Sequence, residues 1–319
     1  MKKVNIPGTE LLLSPMGLGT VDAGIKWSGE QAEKIYDAFL DMGGNLIDTA
    51  RVYSDWIPGE KGRSERVLGE WLKKSGKRNR VVLSTKGGHP DMLGAATDMH
   101  QNRLNRCDME YDLDLSLKAL HTDFVDLYFY HRDCEALPVE ELVETMEDFV
   151  RAGKIRYYGC SNWSAKRMAE ADAYAAKMGY RSFVANQALY NVGYEGMNPM
   201  PDDTLAGADE AMRLYHKENA GNLLMPYTGN CGGFFQLLKM HGETAVKNSP
   251  YYTEKNLQTA KRLNQVMNKY EISLTQAVLG FFTVQNFPCL PLYAASKPER
   301  ILEAMKTFEF SLEKSDYIE

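Results

Sequence analysis

Four polar side chains end or follow otherwise apolar runs in the first half of the chain. Asp48 closes Asn45-Leu46-Ile47, Tyr53 lies five residues beyond it, Lys86 follows Ser84-Thr85, and His131 follows Tyr130. A phenol beside a lysine ammonium has its phenolate stabilised and its proton made more available, which suits a general acid acting on a carbonyl oxygen. Asp48 would hold Lys86 in place. A neutral His131 would hydrogen-bond the same oxygen, orient it and help stabilise the developing alkoxide. Such a catalytic set requires no metal. Taken singly each residue has an ordinary reading: the aspartate a helix cap, the tyrosine packing, the lysine a solvated charge, the histidine a structural one. Four strand-end positions together carry the signal.

The elements that must position them are written in the hydrophobic pattern. From about residue 16, short apolar runs alternate with longer segments whose apolar residues recur at helical spacing. A helix opens with Ser28 and Gln31 at capping-box spacing, buries Ile35, Tyr36, Phe39 and Leu40, and stops at Gly43-Gly44. The spacing predicts strands over 45–48, 81–85, 124–130, 155–160, 182–186, 223–226 and 289–292. Helices are expected over 104–120, 166–178, 203–217, 252–270, 274–282 and 298–308, with further apolar stripes on Val67, Leu68, Trp71, Leu72 and on Leu142, Val143, Met146, Phe149. The run from Phe124 to Tyr130 reads as buried on both faces, as in a parallel sheet.

About eight such units predict a (β/α)8 TIM barrel, an α/β fold closed with right-handed crossovers, over residues 1–319 as a single domain. An open doubly wound sheet more often has about five to seven strands and a glycine-rich phosphate turn, and Gly17-Leu18-Gly19 lacks the third glycine. Residues 228–250 form the one long irregular stretch and read as an active-site loop. In such a barrel the reacting groups lie at the carboxyl ends of the strands, so Asp48, Tyr53, Lys86 and His131 converge on one rim.

Composition narrows the partners. The 319 residues are 44% hydrophobic and 25% charged, a globular balance, and 37 Lys plus Arg against 43 Asp plus Glu give a net charge of -6. No basic field is present to hold nucleic acid. The amino-terminal residues are broken by Asn5, Pro7, Gly8 and Glu10, so no signal peptide is expected, and no apolar run approaches the ~20 residues that span a bilayer. Cys107, Cys134, Cys160, Cys231 and Cys289 are scattered, which suits reduced thiols and a cytoplasmic location. The expected partner is a small molecule; the oligomeric state is unmarked.

The local contexts are specific: Asn45-Leu46-Ile47-Asp48-Thr49-Ala50-Arg51-Val52-Tyr53 with Gly62-Arg63-Ser64-Glu65, then Ser84-Thr85-Lys86, then Asp123-Phe124-Val125-Asp126-Leu127-Tyr128-Phe129-Tyr130-His131. The chain resembles the aldo-keto reductase family from about Gly17 to Phe308. The resemblance implies an oxidoreductase that reduces an aldehyde or ketone with a nicotinamide cofactor, with Asp48, Tyr53, Lys86 and His131 as its catalytic residues. Gly159-Cys160-Ser161-Asn162 and Gln187 look like the family's carboxamide-binding elements, and Tyr227 like the aromatic residue that stacks on the nicotinamide ring. A carboxamide offers one acceptor and two donors that such a set would meet.

Residues 228–235 and 293–303 resemble the pyrophosphate and adenosine segments, with Ala294 and Ala304 departing from the family's pattern. The cofactor-binding residues implied are Gly19, Thr20, Val21, Asp48, Ser161, Asn162, Gln187, Tyr227, Thr228, Gly229, Ser296, Lys297, Arg300 and Glu303. Ser296, Lys297 and Arg300 stand at the start of the last helix, where cationic side chains and free amides suit a 2'-phosphate, so NADP(H) is favoured and NAD(H) stays open. Trp27, Trp56, Arg132 and Trp163 are the expected substrate-binding residues. Aromatic faces mixed with charged groups suit a sugar-like carbonyl.

The same resemblance leaves two other activities open: a cofactor-binding regulatory subunit with little turnover, and a sugar epimerase that recycles its bound cofactor. Two motifs are set aside. His131-Arg132-Asp133 spells a kinase tripeptide without its downstream Asn or a DFG. His89, His131 and Asp48 lack the further spaced histidines of a metal-dependent hydrolase.

Overall fold

A computed structural model describes residues 2–92 and 97–317. The chain opens with an antiparallel hairpin, β1 (Val4–Asn5) and β2 (Leu12–Leu13), which the sequence pattern did not announce. Eight parallel strands follow: β3 (Gly17–Gly19), β4 (Leu46–Asp48), β5 (Val82–Gly87), β6 (Val125–Tyr130), β7 (Ile155–Ser161), β8 (Ala185–Gln187), β9 (Leu223–Leu224) and β10 (Leu292–Tyr293). They run in chain order, with β10 against β3. The remaining seam, between β9 and the segment entering β10, is closed by a parallel bridge from Leu224 to Cys289 and by N–H donors of Leu290 and Leu292 to the carbonyls of Leu224 and Pro226, at 2.9 and 2.8 Å. This is the (β/α)8 barrel.

Each strand is followed by helix: α1 (Gly29–Asp41), α2 (Arg63–Ser75), α3 (Arg106–Leu120), α4 (Val139–Arg151), α5 (Ala165–Met178) and α6 (Glu210–Glu218) after β3 to β8, then α7 (Phe234–His241), α8 (Glu254–Tyr270) and α9 (Leu274–Gly280) between β9 and β10, and α10 (Pro298–Met305) at the end. Their boundaries have local causes. Asn105 caps α3 by accepting from the Asp108 amide at 3.0 Å, Asp209 caps α6 by accepting from Met212, and Ser273 and Gln276 make a full capping box on α9. Apolar stripes such as Leu142, Val143, Met146 and Phe149 on α4 pack onto the outside of the strands. No helix among the described residues is long and apolar enough to cross a membrane.

Three expectations are corrected. Ser28 stands at the N-cap of α1 without a side-chain bond, and the Gln31 side chain, instead of returning to the Ser28 amide, donates to the Ser296 carbonyl at 2.7 Å, joining the first and last helices. The helix expected over 203–217 begins only at Glu210, since Asp202 folds residues 202–205 into a turn through Thr204. The stretch 228–250 is not an irregular loop: it holds α7 between two 3-10 turns, with Phe234 and Phe235 buried against Tyr251 and Leu263.

The barrel interior follows the two-residue period of the strands. Leu46, Leu127, Phe129, Ala185, Leu223, Met225, Leu290 and Leu292 pack together with Ile6, Leu11 and Leu13 from the hairpin, which plug the amino-terminal end. Two residues beyond these inward positions come Asp48, His131, Gln187 and Tyr227. The same parity that fills the core with hydrocarbon delivers polar side chains to the opposite mouth.

Candidate active site

At that mouth Lys86 donates three hydrogen bonds. Its Nζ lies 2.6 Å from Asp48 Oδ2, 2.8 Å from the Thr49 carbonyl and 3.0 Å from the Tyr53 hydroxyl. Asp48 is buried with it, and the other carboxylate oxygen accepts from Ser84 Oγ at 2.6 Å and Gln187 Nε2 at 2.7 Å. A buried ion pair is tolerated only when its remaining valences are met, and here they are met on both partners. Burial pulls the Lys86 ammonium towards the neutral form, but Asp48 and then Tyr53 outweigh it, and its pKa stands above the ordinary lysine value. Burial likewise raises the Tyr53 phenol, and the opposing pull of Lys86 does not reverse it. The expected lowering by lysine is therefore overridden by desolvation. At neutral pH Tyr53 is a protonated acid with a cation 3.0 Å away, ready to take up the charge it leaves.

His131 continues β6 by donating its backbone N–H to the Gly87 carbonyl at 3.0 Å, which sets the ring edge-on to Tyr53 with centroids 5.8 Å apart. Burial, then His89, Arg132 and Lys86, hold its pKa well below the usual histidine value, so the imidazole is neutral. Its Nδ1 is buried without a partner, which is the less costly arrangement when the proton sits on Nε2. A neutral ring of that tautomer can donate to a carbonyl oxygen placed beside Tyr53.

The carboxamide candidates divide. Ser161 ends β7, and Gln187 ends β8 with its amide nitrogen on Asp48. Asn162, in the left-handed region at φ 64°, is fully engaged: Nδ2 donates to the His131 carbonyl and to Ser161 Oγ, and Oδ1 accepts from the Ala206 amide and from the Tyr227 hydroxyl at 2.7 Å. It ties three strand ends together, so the donors left to meet a carboxamide are those of Ser161 and Gln187. The Tyr227 ring is held at the rim by that hydroxyl bond.

Other candidates are placed as follows. Thr20 is buried, with Oγ1 on the Asp48 carbonyl and 2.8 Å from Ser64 Oγ, so it braces β3 against α2, whereas Gly19 and Val21 beside it keep open surface. Trp27 and Trp163 are 2% and 0% exposed. The first packs on Tyr36 and the second on Tyr130 and Phe183, and neither offers a face to the mouth. Arg132 spends its guanidinium on Thr204, Asp202 and the His131 carbonyl. Trp56 alone among the four substrate candidates is exposed.

Thr228 and Gly229 follow β9, and a Cβ on Gly229 would lie 3.2 Å from the Leu292 carbonyl, so this turn borders the last strand. Ser296, Lys297 and Arg300 are exposed at the start of α10, with Arg300 Nη1 3.3 Å from Glu303. Cationic groups at a helix start, after the last barrel strand and next to the turn after the seventh, fit a phosphorylated dinucleotide. Among the described residues no cluster of His, Cys, Asp and Glu could hold a metal ion.

Sequence reasoning missed Ser84 and Thr49. Ser84 shares the inward parity of Lys86 and was legible on that ground, whereas the Thr49 carbonyl carries no side-chain signal.

A model described as the aldo/keto reductase family matches residues 15–319. An aryl-alcohol dehydrogenase of Pestalotiopsis microspora is 26% identical over 324 residues, covering 97% of this chain and 78% of its own length. An aryl-alcohol dehydrogenase [NADP(+)] of Phanerodontia chrysosporium is 27% identical over 341 residues, covering 96% and 81%. Aldo-keto reductase YhdN of Bacillus subtilis is 36% identical over 176 residues, 53% of this chain and 49% of its own. With the barrel and its strand-end polar set, a match over nearly the whole length shows that this chain belongs to the aldo/keto reductase family.

Proposed function

We propose that the protein is an NADP(H)-dependent carbonyl reductase of the cytoplasm, with Tyr53 as general acid, and the single observation that carries this is the Tyr53 hydroxyl 3.0 Å from an ammonium itself locked to Asp48. Ser161, Gln187 and the Tyr227 ring would hold the nicotinamide end of the cofactor, and Lys297 with Arg300 the 2'-phosphate. A reduced nicotinamide, when bound, supplies the hydride that reduces the carbonyl carbon. His131 orients the carbonyl oxygen by donating from Nε2. Tyr53 then breaks its O–H bond and delivers the proton to that oxygen, and Lys86 stabilises the phenolate left behind. The names of the relatives point to aryl alcohols. A polar cavity of about 210 Å³ beside Lys86, lined by Arg51, Asp55, Lys61 and His89 among others, favours a polyhydroxylated carbonyl here.

The test is a pair of tryptophan-fluorescence titrations with NADPH and NADH, followed by turnover of glyceraldehyde and benzaldehyde. Tight NADPH binding, weak NADH binding and preferred turnover of glyceraldehyde are expected. Binding of neither cofactor would overturn the reading, and equal turnover of both aldehydes would remove its substrate half.

A further inference from the structure

His89 is a buried histidine that the reaction above does not use, and its placement is specific. Beyond Lys86 the chain turns at Gly88, whose φ of +77° is in the left-handed region and whose missing Cβ would fall 2.6 and 2.7 Å from Leu104 and Met109. The Gly88 amide donates to Asp112 at 2.9 Å. Arg103, bound through both its terminal nitrogens to Asp112, donates to the His89 carbonyl at 3.0 Å. The backbone is thus clamped on both sides of the ring. The ring itself lies edge-on to His131, with centroids 4.7 Å apart, and is 8% exposed.

The tautomer follows from the geometry. His89 Nδ1 is 2.8 Å from the Pro90 carbonyl, and a carbonyl only accepts, so Nδ1 carries the proton. Nε2 of the neutral ring is then an acceptor. It has no partner among the described residues and is not among the fully buried orphan atoms, so it opens onto free space. Burial, then the charge of Arg132, holds the ring neutral down to about pH 4. His89 also lines a cavity of about 210 Å³ with Arg51, Asp55, Lys61, Lys86 and Arg103.

We propose that His89 is a specificity-determining residue whose Nε2 accepts a hydrogen bond from a hydroxyl on the carbon next to the substrate carbonyl. The inference rests on the reductase reading above, since His131 must hold the carbonyl oxygen for His89 to face its neighbour. Two imidazoles in contact then divide the work: His131 donates to the oxygen that is reduced, and His89 accepts from the hydroxyl beside it. A preformed neutral hydrogen bond of this kind is worth roughly tenfold in relative kcat/KM.

The test uses 2-hydroxypropanal and propanal, which differ by that one hydroxyl, with NADPH. Wild type should favour 2-hydroxypropanal by about tenfold or more in kcat/KM. His89→Leu should bring the ratio of the two close to one, and His89→Gln, which keeps an acceptor, should restore much of it. A purely structural role would lower kcat/KM for both aldehydes together and leave the ratio unmoved, and that result would overturn the proposal. Should wild type turn over neither aldehyde, the reductase reading fails by itself. The hydroxyl preference is then read as binding of 1,2-propanediol against 1-propanol by calorimetry on wild type and His89→Leu. Equal affinities in wild type would sink the role of His89 independently.

Discussion

Gln187 donates its side-chain amide to Asp48 at 2.7 Å across the barrel interior, although the two residues stand 139 positions apart in the chain. The aspartate is therefore held from two sides by neutral donors, Ser84 and Gln187, before it meets the Lys86 ammonium. Its charge is placed by the closed ring of strands, not by its own loop. The orientation of Lys86 towards Tyr53 depends in turn on that placement.

Replacing Tyr53 with Phe removes the transferable proton and leaves the ring. Turnover should fall at least about a hundredfold, the lower edge of what positioned proton transfer contributes. NADPH affinity, followed by tryptophan fluorescence, should stay within about twofold of wild type. Near-normal turnover would remove Tyr53 from the mechanism.

Lys86→Met strands the Asp48 carboxylate inside the protein with two neutral donors only. Stability should drop by about 3–5 kcal/mol in urea unfolding, and the double variant with Asp48→Asn should recover much of it. If the double variant were no more stable than the single one, the two charges would not be energetically coupled.

Lys297 and Arg300 are exposed and engage no deeply buried group, so changing both to Ala should leave the fold intact. Fluorescence titration should then show NADPH affinity reduced by about tenfold or more and NADH affinity nearly unaltered, as expected for loss of contacts to a phosphate. A parallel loss for both cofactors would place these side chains elsewhere than at a 2'-phosphate.

Glu65 is fully buried between α2, β5 and α3, with one oxygen on Thr85 and the other unpartnered near Ser116. Burial raises its carboxyl to about 7, against the smaller opposing effects of Thr85, Ser116 and Arg51. A carboxyl whose folded pKa exceeds its unfolded one stabilises fully below about pH 4.5, and that contribution is lost as pH rises to about 7. The gap is worth roughly 3 kcal/mol. His216, held near 4 by burial, acts in the opposite sense, its contribution falling as pH falls from about 6.5 to 4. The difference in unfolding free energy between wild type and Glu65→Gln isolates the carboxyl. It should grow in favour of the variant from pH 5 to pH 8, and a difference independent of pH would show that Glu65 titrates normally.

Gly69 sits in the middle of α2, where alanine would normally favour a helix by about 1 kcal/mol. A Cβ there would stand 2.0 Å from the Ala119 carbonyl of α3. Gly69→Ala should therefore destabilise, by about 1–3 kcal/mol from overpacking, measurable as a lowered Tm. A neutral or stabilising outcome would mean that the two helices can part.

Much of this molecule is legible in one sequence because the barrel repeats a simple rule. The alternation of apolar runs and amphipathic helices marks the eight units, and a polar residue ending an apolar run marks the mouth. Asp48, Lys86 and His131 are found that way. What escapes is whatever a local window cannot hold. The pattern that pairs Ser28 with Gln31 is a cap by spacing, yet Gln31 is taken by Ser296 from the far end of the chain. Trp163 stands two residues past Ser161 and by spacing alone would share its inward parity, but the left-handed turn at Asn162 throws it out into the shell of Tyr130 and Phe183. The helix at 234–241 is short and flanked by glycines, and its burial comes from Tyr251 and Leu263, later in the chain. β1 and β2 are two residues each, too brief for any period to show.

The hairpin formed by those two strands has a kinetic meaning. Among the described residues, Ile6, Leu11 and Leu13 pack into the amino-terminal end of the barrel, and Tyr53 stands at the opposite mouth. On the reaction proposed above, cofactor and carbonyl would share that mouth, and the deeper of the two would be admitted first and discharged last. Order of entry would then be set from the opposite pole of the molecule, by a hydrocarbon stopper at the amino-terminal end.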